Sequence, residues 1–81
     1  MISRNMKILI TGVEGFIGSN FYRQFKKEFP KSSIIGLDDL SSGKISNIDK
    51  NITFYKGSIE DSSLLEKIFQ KHKPEYIFHF A

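Results

Sequence analysis

The sequence predicts an α/β fold, a doubly wound parallel sheet with its strands in the order 3-2-1-4, and three observations lead there. Apolar strand-forming runs alternate with stretches of helical spacing along the chain, the pattern of successive β–α–β units. The first run, Lys7–Thr11, is almost continuously apolar, as suits a parallel strand covered on both faces. It stops at Gly12, and glycines recur at Gly15 and Gly18 just as helical spacing begins. Right-handed crossovers, with a helix after the first and third strands, complete the expectation.

That glycine turn carries the chemistry. The strand ends, the chain turns with no Cβ atoms in the way, and the helix opens with N–H groups that lack intrahelical partners. Those donors and the positive end of the helix dipole suit a pyrophosphate. Gly12 takes the tight turn, Gly15 lets the backbone approach a ligand, and Gly18 lets the helix pack closely on the sheet. Gly12, Gly15, Phe16, Ile17 and Gly18 are therefore candidate contacts of a dinucleotide. The spacing, Gly-x-x-Gly-x-x-Gly after Thr11, is not the commoner G-x-G-x-x-G. A Walker A loop is excluded, because no Gly-Lys-Ser/Thr follows at the required offset.

Composition narrows the setting. With 81 residues the chain allows at most one small domain, and 40% hydrophobic with 26% charged residues is the balance of a soluble globular chain, not a disordered one. No cysteine is present, so there is no disulfide framework and no thiolate metal site; no metal is expected. The apolar runs are far shorter than a membrane span. Residues 1–5 read as a short leader without the apolar region of a secretory signal, and a cytoplasmic setting is expected. The net charge of +3 does not indicate nucleic acid, because the lysines are scattered among acids and form no basic stripe.

The remaining elements follow in order. Ile17, Phe21, Phe25 and Phe29 recur every fourth residue, with Tyr22 alongside, and predict a helix from about Phe16 to Phe29 with an aromatic core stripe, closed by Pro30. Ser33–Leu37 is the second strand and runs into Asp38-Asp39. Asp38 stands twenty residues beyond Gly18, where this fold places an acid at the tip of the second strand to accept hydrogen bonds from the adenosine ribose. The same carboxylate would repel a 2′-phosphate, so NAD is expected over NADP. A polar, glycine-broken loop follows, too irregular for a long helix. Ile52–Lys56 is the third strand, stopped by Gly57. Asp61 is expected to cap the next helix, with Ser62 or Ser63 as rivals and Ser63-x-x-Glu66 fitting a capping box. Leu64, Leu65, Ile68 and Phe69 give that helix its buried face, and it ends near Lys71 ahead of Pro74. His72 reads as a surface or boundary residue. Tyr76–Ala81 is the fourth strand, in which His79 reads as a residue that packs or supports the site from behind, and not as a catalytic base.

Four of these stretches carry a family resemblance. Thr11-Gly12-x-x-Gly15-Phe16-Ile17-Gly18 resembles the fingerprint of the extended short-chain dehydrogenase/reductases, the Rossmann-type family of NAD-dependent nucleotide-sugar epimerases and dehydratases. Asp38-Asp39-Leu40-Ser41-Ser42-Gly43-Lys44, with Asn47 beyond, resembles the Asp-Asn-Leu-Ser-x-Gly stretch that wraps the adenosine ribose in UDP-glucose 4-epimerases and their relatives. Asp39 stands where Asn is usual. Gly57-Ser58-Ile59-Glu60-Asp61 resembles the family's Gly-Asp-Ile-x-Asp segment at the adenine, with Ser58 in place of the usual acid. Ile77-Phe78-His79-Phe80-Ala81 resembles Val-Phe-His-Leu-Ala-Ala, whose end lies beside the nicotinamide half.

The resemblance implies that Asp38, Asp39, Leu40, Ser41, Ser42, Gly43, Ser58, Ile59, Phe80 and Ala81 join the glycine loop in holding NAD. It also implies a parent enzyme, an isomerase or lyase and a homodimer, that oxidises a nucleotide-linked hexose at C4 by hydride transfer to NAD. The family's Ser/Thr and Tyr-x-x-x-Lys lie well beyond the region matched, so residues 6–81 are expected to be the N-terminal part of an NAD-binding domain, with no catalytic residue of their own. The alternative is a binding module that holds a dinucleotide for sensing or assembly.

Overall fold

The computed structural model describes residues 6–40 and 52–80. The expectations for residues 1–5, for the loop containing Ser41, Ser42 and Gly43, and for Ala81 lie outside that range. Six elements follow one another: β1 (Lys7–Thr11), α1 (Phe16–Glu28), β2 (Ser33–Asp38), β3 (Ile52–Lys56), α2 (Ser62–His72) and β4 (Tyr76–His79). The strands form one parallel sheet in the order β3-β2-β1-β4, as expected, with Leu9 opposite Ile35 on one side and Ile77 on the other.

Alternation along the strands decides what each helix covers, because successive side chains leave a strand on opposite faces. Ile8, Ile10 and Ile34 point to one face, where Val13 and Tyr22 complete a buried cluster under α1. Leu9, Ile35 and Leu37 point to the other, where Ile68 of α2 seals them. Both faces of β1 and β2 are therefore dry, and each fully buried Ile or Leu contributes roughly 1.5–3 kcal/mol.

The stripe on α1 differs from the expected one. Ile17 is 65% exposed, and the buried positions are Gly18, Ser19 and Tyr22. The cause is Gly18: a Cβ there would fall 2.1 Å from the Gly12 carbonyl oxygen. The helix thus meets the loop backbone at Gly18 and turns its contact face one residue past Ile17. Phe21 and Phe25 flank that face half-buried, with the Phe21 ring 4.8 Å from that of Phe78. The helix stops before Pro30, and the Phe29 N–H closes the last turn on the Phe25 carbonyl.

On α2 the cap is Asp61, whose carboxylate accepts the Leu64 N–H at 3.1 Å. Ser63 sits inside the helix, so Ser63 and Glu66 make no capping box. Ile68 is fully buried with Leu64 and Leu65 against it, whereas Phe69, expected in the core, is exposed. Phe69 has rotated past the sheet contact that Ile68 occupies.

Candidate functional site

Three elements end together at the C-terminal edge of the sheet. From β1 the chain moves through α1 to β2 on one side, while β4 lies on the other, and such a switch in direction opens a crevice beyond the strand ends. Gly12 turns there with φ at +71°, a conformation open to glycine and strained for most other residues. Its N–H donates to the Leu37 carbonyl at 2.8 Å, and the Gly15 N–H returns to the Gly12 carbonyl at 3.1 Å. Gly15 is the N-cap of α1 and provides no side-chain cap. The first-turn N–H groups of α1 are thus left for a ligand.

Asp38 stands against this loop from the tip of β2. It is only 8% exposed. Its Oδ2 accepts the Glu14 N–H at 2.8 Å and its Oδ1 accepts the Leu40 N–H at 2.7 Å. Each oxygen keeps a second acceptor position, so the carboxylate is oriented by the backbone and still able to receive ribose hydroxyls. Leu40, with φ at +64°, acts through its N–H on Asp38 and does not line the cavity.

That cavity holds about 380 Å³. Gly12, Gly15, Asp38, Asp39, Ser58, Ile59 and Phe80 of the expected residues meet in its wall. Leu37, Gly57 and Glu60 join them unforeseen. Besides Leu40, three expected contacts stand outside that wall. Phe16 and Ile17 project from the first turn of α1, strongly exposed, and Gly18 is buried beneath the loop. Ser58 accepts the Glu60 N–H on its hydroxyl oxygen at 3.0 Å, so its hydroxyl proton is what remains to offer a ligand. The Phe80 N–H donates to the Thr11 carbonyl at 2.9 Å, extending the pairing of β4 with β1 one residue past the strand.

His79 takes the second of its two expected roles, supporting the strand ends and not packing in the core. It is exposed, with its Nδ1 at 2.6 Å from the Thr11 hydroxyl, so the tips of β1 and β4 are tied by side chains. His72 pairs with another element: its Nε2 lies 2.7 Å from the Tyr55 hydroxyl. Burial, then Lys71 and Lys7, hold its pKa below the ordinary value.

One pair in the chain does have the Tyr-x-x-x-Lys spacing, Tyr22 and Lys26. Tyr22 is buried in the core beneath α1. The Lys26 ammonium donates to the Ser32 carbonyl and lines a second cavity with Ser33 and His72, at the opposite end of the sheet. Neither reaches the glycine-loop cavity.

Glu14 was missed as well. It is 2% exposed, and neither carboxylate oxygen has a hydrogen-bond partner. Burial, and next the charge of Asp38, push its pKa up, against a smaller pull from Arg23. The signal was a charged residue between two turn glycines. Among the described residues no group of acids or histidines is placed to hold a metal ion, and no helix is long and apolar enough to cross a membrane.

The family model described as "NAD dependent epimerase/dehydratase family" matches residues 8–81. The chain belongs to this family. A dTDP-D-glucose 4,6-dehydratase of Dictyostelium discoideum is 47% identical over 81 residues, which are 93% of this chain and 19% of that protein. The UDP-glucose 4-epimerase of Thermotoga maritima, solved with UDP-glucose, superposes with a TM-score of 0.87 at 46% identity, over 94% of this chain and 24% of that one. The dTDP-glucose 4,6-dehydratase of Bacillus anthracis, solved with NAD, gives 0.87 at 36% identity, over 94% and 26%. The chain thus spans about a fifth to a quarter of the length of these epimerase/dehydratase relatives.

The residues present fit the dinucleotide that the family name implies. The side-chain-free cap at Gly15 leaves the start of α1 open, and the Asp38 carboxylate is held in the wall of the same cavity.

Proposed function

We propose that this chain is the NAD-binding part of a nucleotide-sugar epimerase or dehydratase, an isomerase or lyase that acts in the cytoplasm as a homodimer. The observation that carries the reading is the meeting of the glycine loop with the Asp38 carboxylate in one cavity. The α1 N-terminus faces the pyrophosphate, with Gly12 and Gly15 clearing the approach. Asp38 accepts the two ribose hydroxyls, and Ser58 with the Ile59 N–H meets the adenine edge. Phe80 borders the path to the nicotinamide half. NAD, when bound, supplies a hydride acceptor and donor for the sugar C4. The sugar-side Tyr and Lys lie in a part of the enzyme outside residues 1–81. The Bacillus anthracis dehydratase with NAD and the Thermotoga maritima epimerase with UDP-glucose support both halves of this reading.

Calorimetry on the full-length protein tests the cofactor half, with micromolar NAD binding expected and NADP much weaker. Incubation with UDP- and dTDP-glucose and product analysis tests the chemistry. Failure to bind NAD would overturn the reading, and NAD binding without turnover of any nucleotide sugar would favour the non-catalytic module.

A further inference from the structure

We propose that Glu60 sets the base preference of the cavity, its carboxylate accepting the amino group of adenine while the neighbouring Ile59 N–H donates to the ring nitrogen beside it. The inference rests on the NAD reading above and extends it from the ribose to the base. Four consecutive residues after β3, Gly57, Ser58, Ile59 and Glu60, line the cavity. Hydrogen bonds fix their backbone ahead of α2. The Gly57 N–H donates to the Asp38 carbonyl at 3.0 Å and the Asp61 N–H to the Ser58 carbonyl at 3.1 Å. The Glu60 N–H donates to the Ser58 hydroxyl oxygen at 3.0 Å.

The groups this turn uses and the groups it leaves over differ in kind. Both oxygens of Ser58 already accept backbone N–H groups. Its hydroxyl offers a proton, which suits a ring nitrogen and not an amino group. The Ile59 N–H and the Glu60 carboxylate have no partner among the described residues, and both residues are exposed at the cavity. A spare donor and a spare acceptor thus stand on adjacent residues of one wall. Adenine carries the complementary pair side by side, a ring nitrogen that accepts and an amino group that donates. Hypoxanthine reverses the pair, with a ring N–H and a carbonyl oxygen in those places. It would set donor against donor at Ile59 and oxygen against carboxylate at Glu60. A carboxylate only accepts, so Glu60 cannot adapt to the reversed base. Sites that hydrogen-bond one polar group of a ligand reject analogues lacking it strongly, because the site's own groups are then left unpaired.

The test compares NAD with nicotinamide hypoxanthine dinucleotide, which differs only in carrying a carbonyl oxygen in place of the adenine amino group. Affinities are measured by calorimetry on the full-length protein, with thermal melting as the folding control. The wild type is expected to bind NAD about tenfold more tightly than the analogue. Glu60→Ala should weaken NAD by about tenfold and leave the analogue within about threefold. Glu60→Gln, whose amide can accept or donate, should narrow the preference chiefly by strengthening the analogue. Glu60 is exposed and its carboxylate holds no bond among the described residues, so both variants should melt as the wild type does. A wild type that does not prefer NAD, or an NAD-to-analogue ratio unchanged in Glu60→Ala, would overturn the role while leaving the NAD reading intact. Equal losses for both dinucleotides would also overturn it, because they mark a purely structural residue. A wild type that binds neither dinucleotide would overturn the NAD reading and this role together.

Discussion

The Glu14 N–H and the Asp38 carboxylate meet at 2.8 Å, joining the turn after β1 to the tip of β2. The loop assigned to the pyrophosphate and the acid assigned to the ribose are thus one hydrogen-bonded unit. Leu40 grips the second carboxylate oxygen, so Asp38 is oriented before any ligand arrives.

Replacing Asp38 therefore has two separable effects. Asp38→Ala removes the acceptor for two backbone N–H groups as well as the ribose contact. NAD affinity should fall by roughly tenfold or more, since hydrogen bonds to charged groups contribute about 1.5–3 kcal/mol each. Asp38→Asn keeps one oxygen acceptor and should lose less stability in denaturant melts than Asp38→Ala. Equal NAD affinity for wild type and Asp38→Ala would remove Asp38 from the site.

Gly18 and Gly15 should fail in opposite ways. A Cβ at Gly18 falls 2.1 Å from the Gly12 carbonyl oxygen, a backbone atom that cannot move aside without the loop. Gly18→Ala should destabilise the fold by about 1–3 kcal/mol. At Gly15 the same atom stands at 3.4 Å, ordinary contact distance. Gly15→Val should leave the circular dichroism spectrum largely intact and abolish NAD binding, because the branched side chain occupies the open mouth of α1. Unchanged affinity in Gly15→Val would take Gly15 out of the pyrophosphate site.

Glu14 and His72 give stability opposite slopes with pH. Glu14 has a folded pKa above its usual 4.5, so the folded state holds the proton longer and stability falls as pH rises from 4.5 through that raised value. Glu14→Gln should stabilise the protein at pH 7 and do much less at pH 4. His72 has a folded pKa below its usual 6.5. Its contribution is present above 6.5 and lost as pH falls through the lowered value. His72→Gln should flatten that acid-side loss. Urea melts at pH 4, 5.5 and 7 on both variants check the signs.

Expressed alone, residues 1–81 should self-associate. β4 pairs with β1 on one side only among the described residues, and Tyr76 and Ile77 are half exposed along it. An apolar strand with an open edge is a template for another chain. Sedimentation velocity should show a concentration-dependent increase in size, and a monodisperse monomer at high concentration would contradict the expectation.

The strands were legible in the sequence because their information is local. The first and third match the expected limits, and the second is longer by one residue, Asp38. The order 3-2-1-4 was legible too, since right-handed crossovers and alternating elements leave few other sheets. Gly12, Gly15 and Asp38 could be placed in the cavity because their spacing along the chain fixes which strand ends they occupy.

What the chain could not show by itself was every feature that depends on one element's rotation against another. Periodicity put Ile17 and Phe69 in the core, but the approach permitted by Gly18 turned α1 past Ile17, and the seat of Ile68 left Phe69 outside. Spacing alone cannot distinguish Tyr22 and Lys26 from a catalytic pair; only their positions under α1 and at the far end of the sheet do. The Thr11–His79 tie and the bond from the Glu14 N–H to Asp38 join residues 68 and 24 positions apart. Hydrogen-bond partners and desolvation are properties of packed neighbours, and those neighbours exist only once the sheet has assembled.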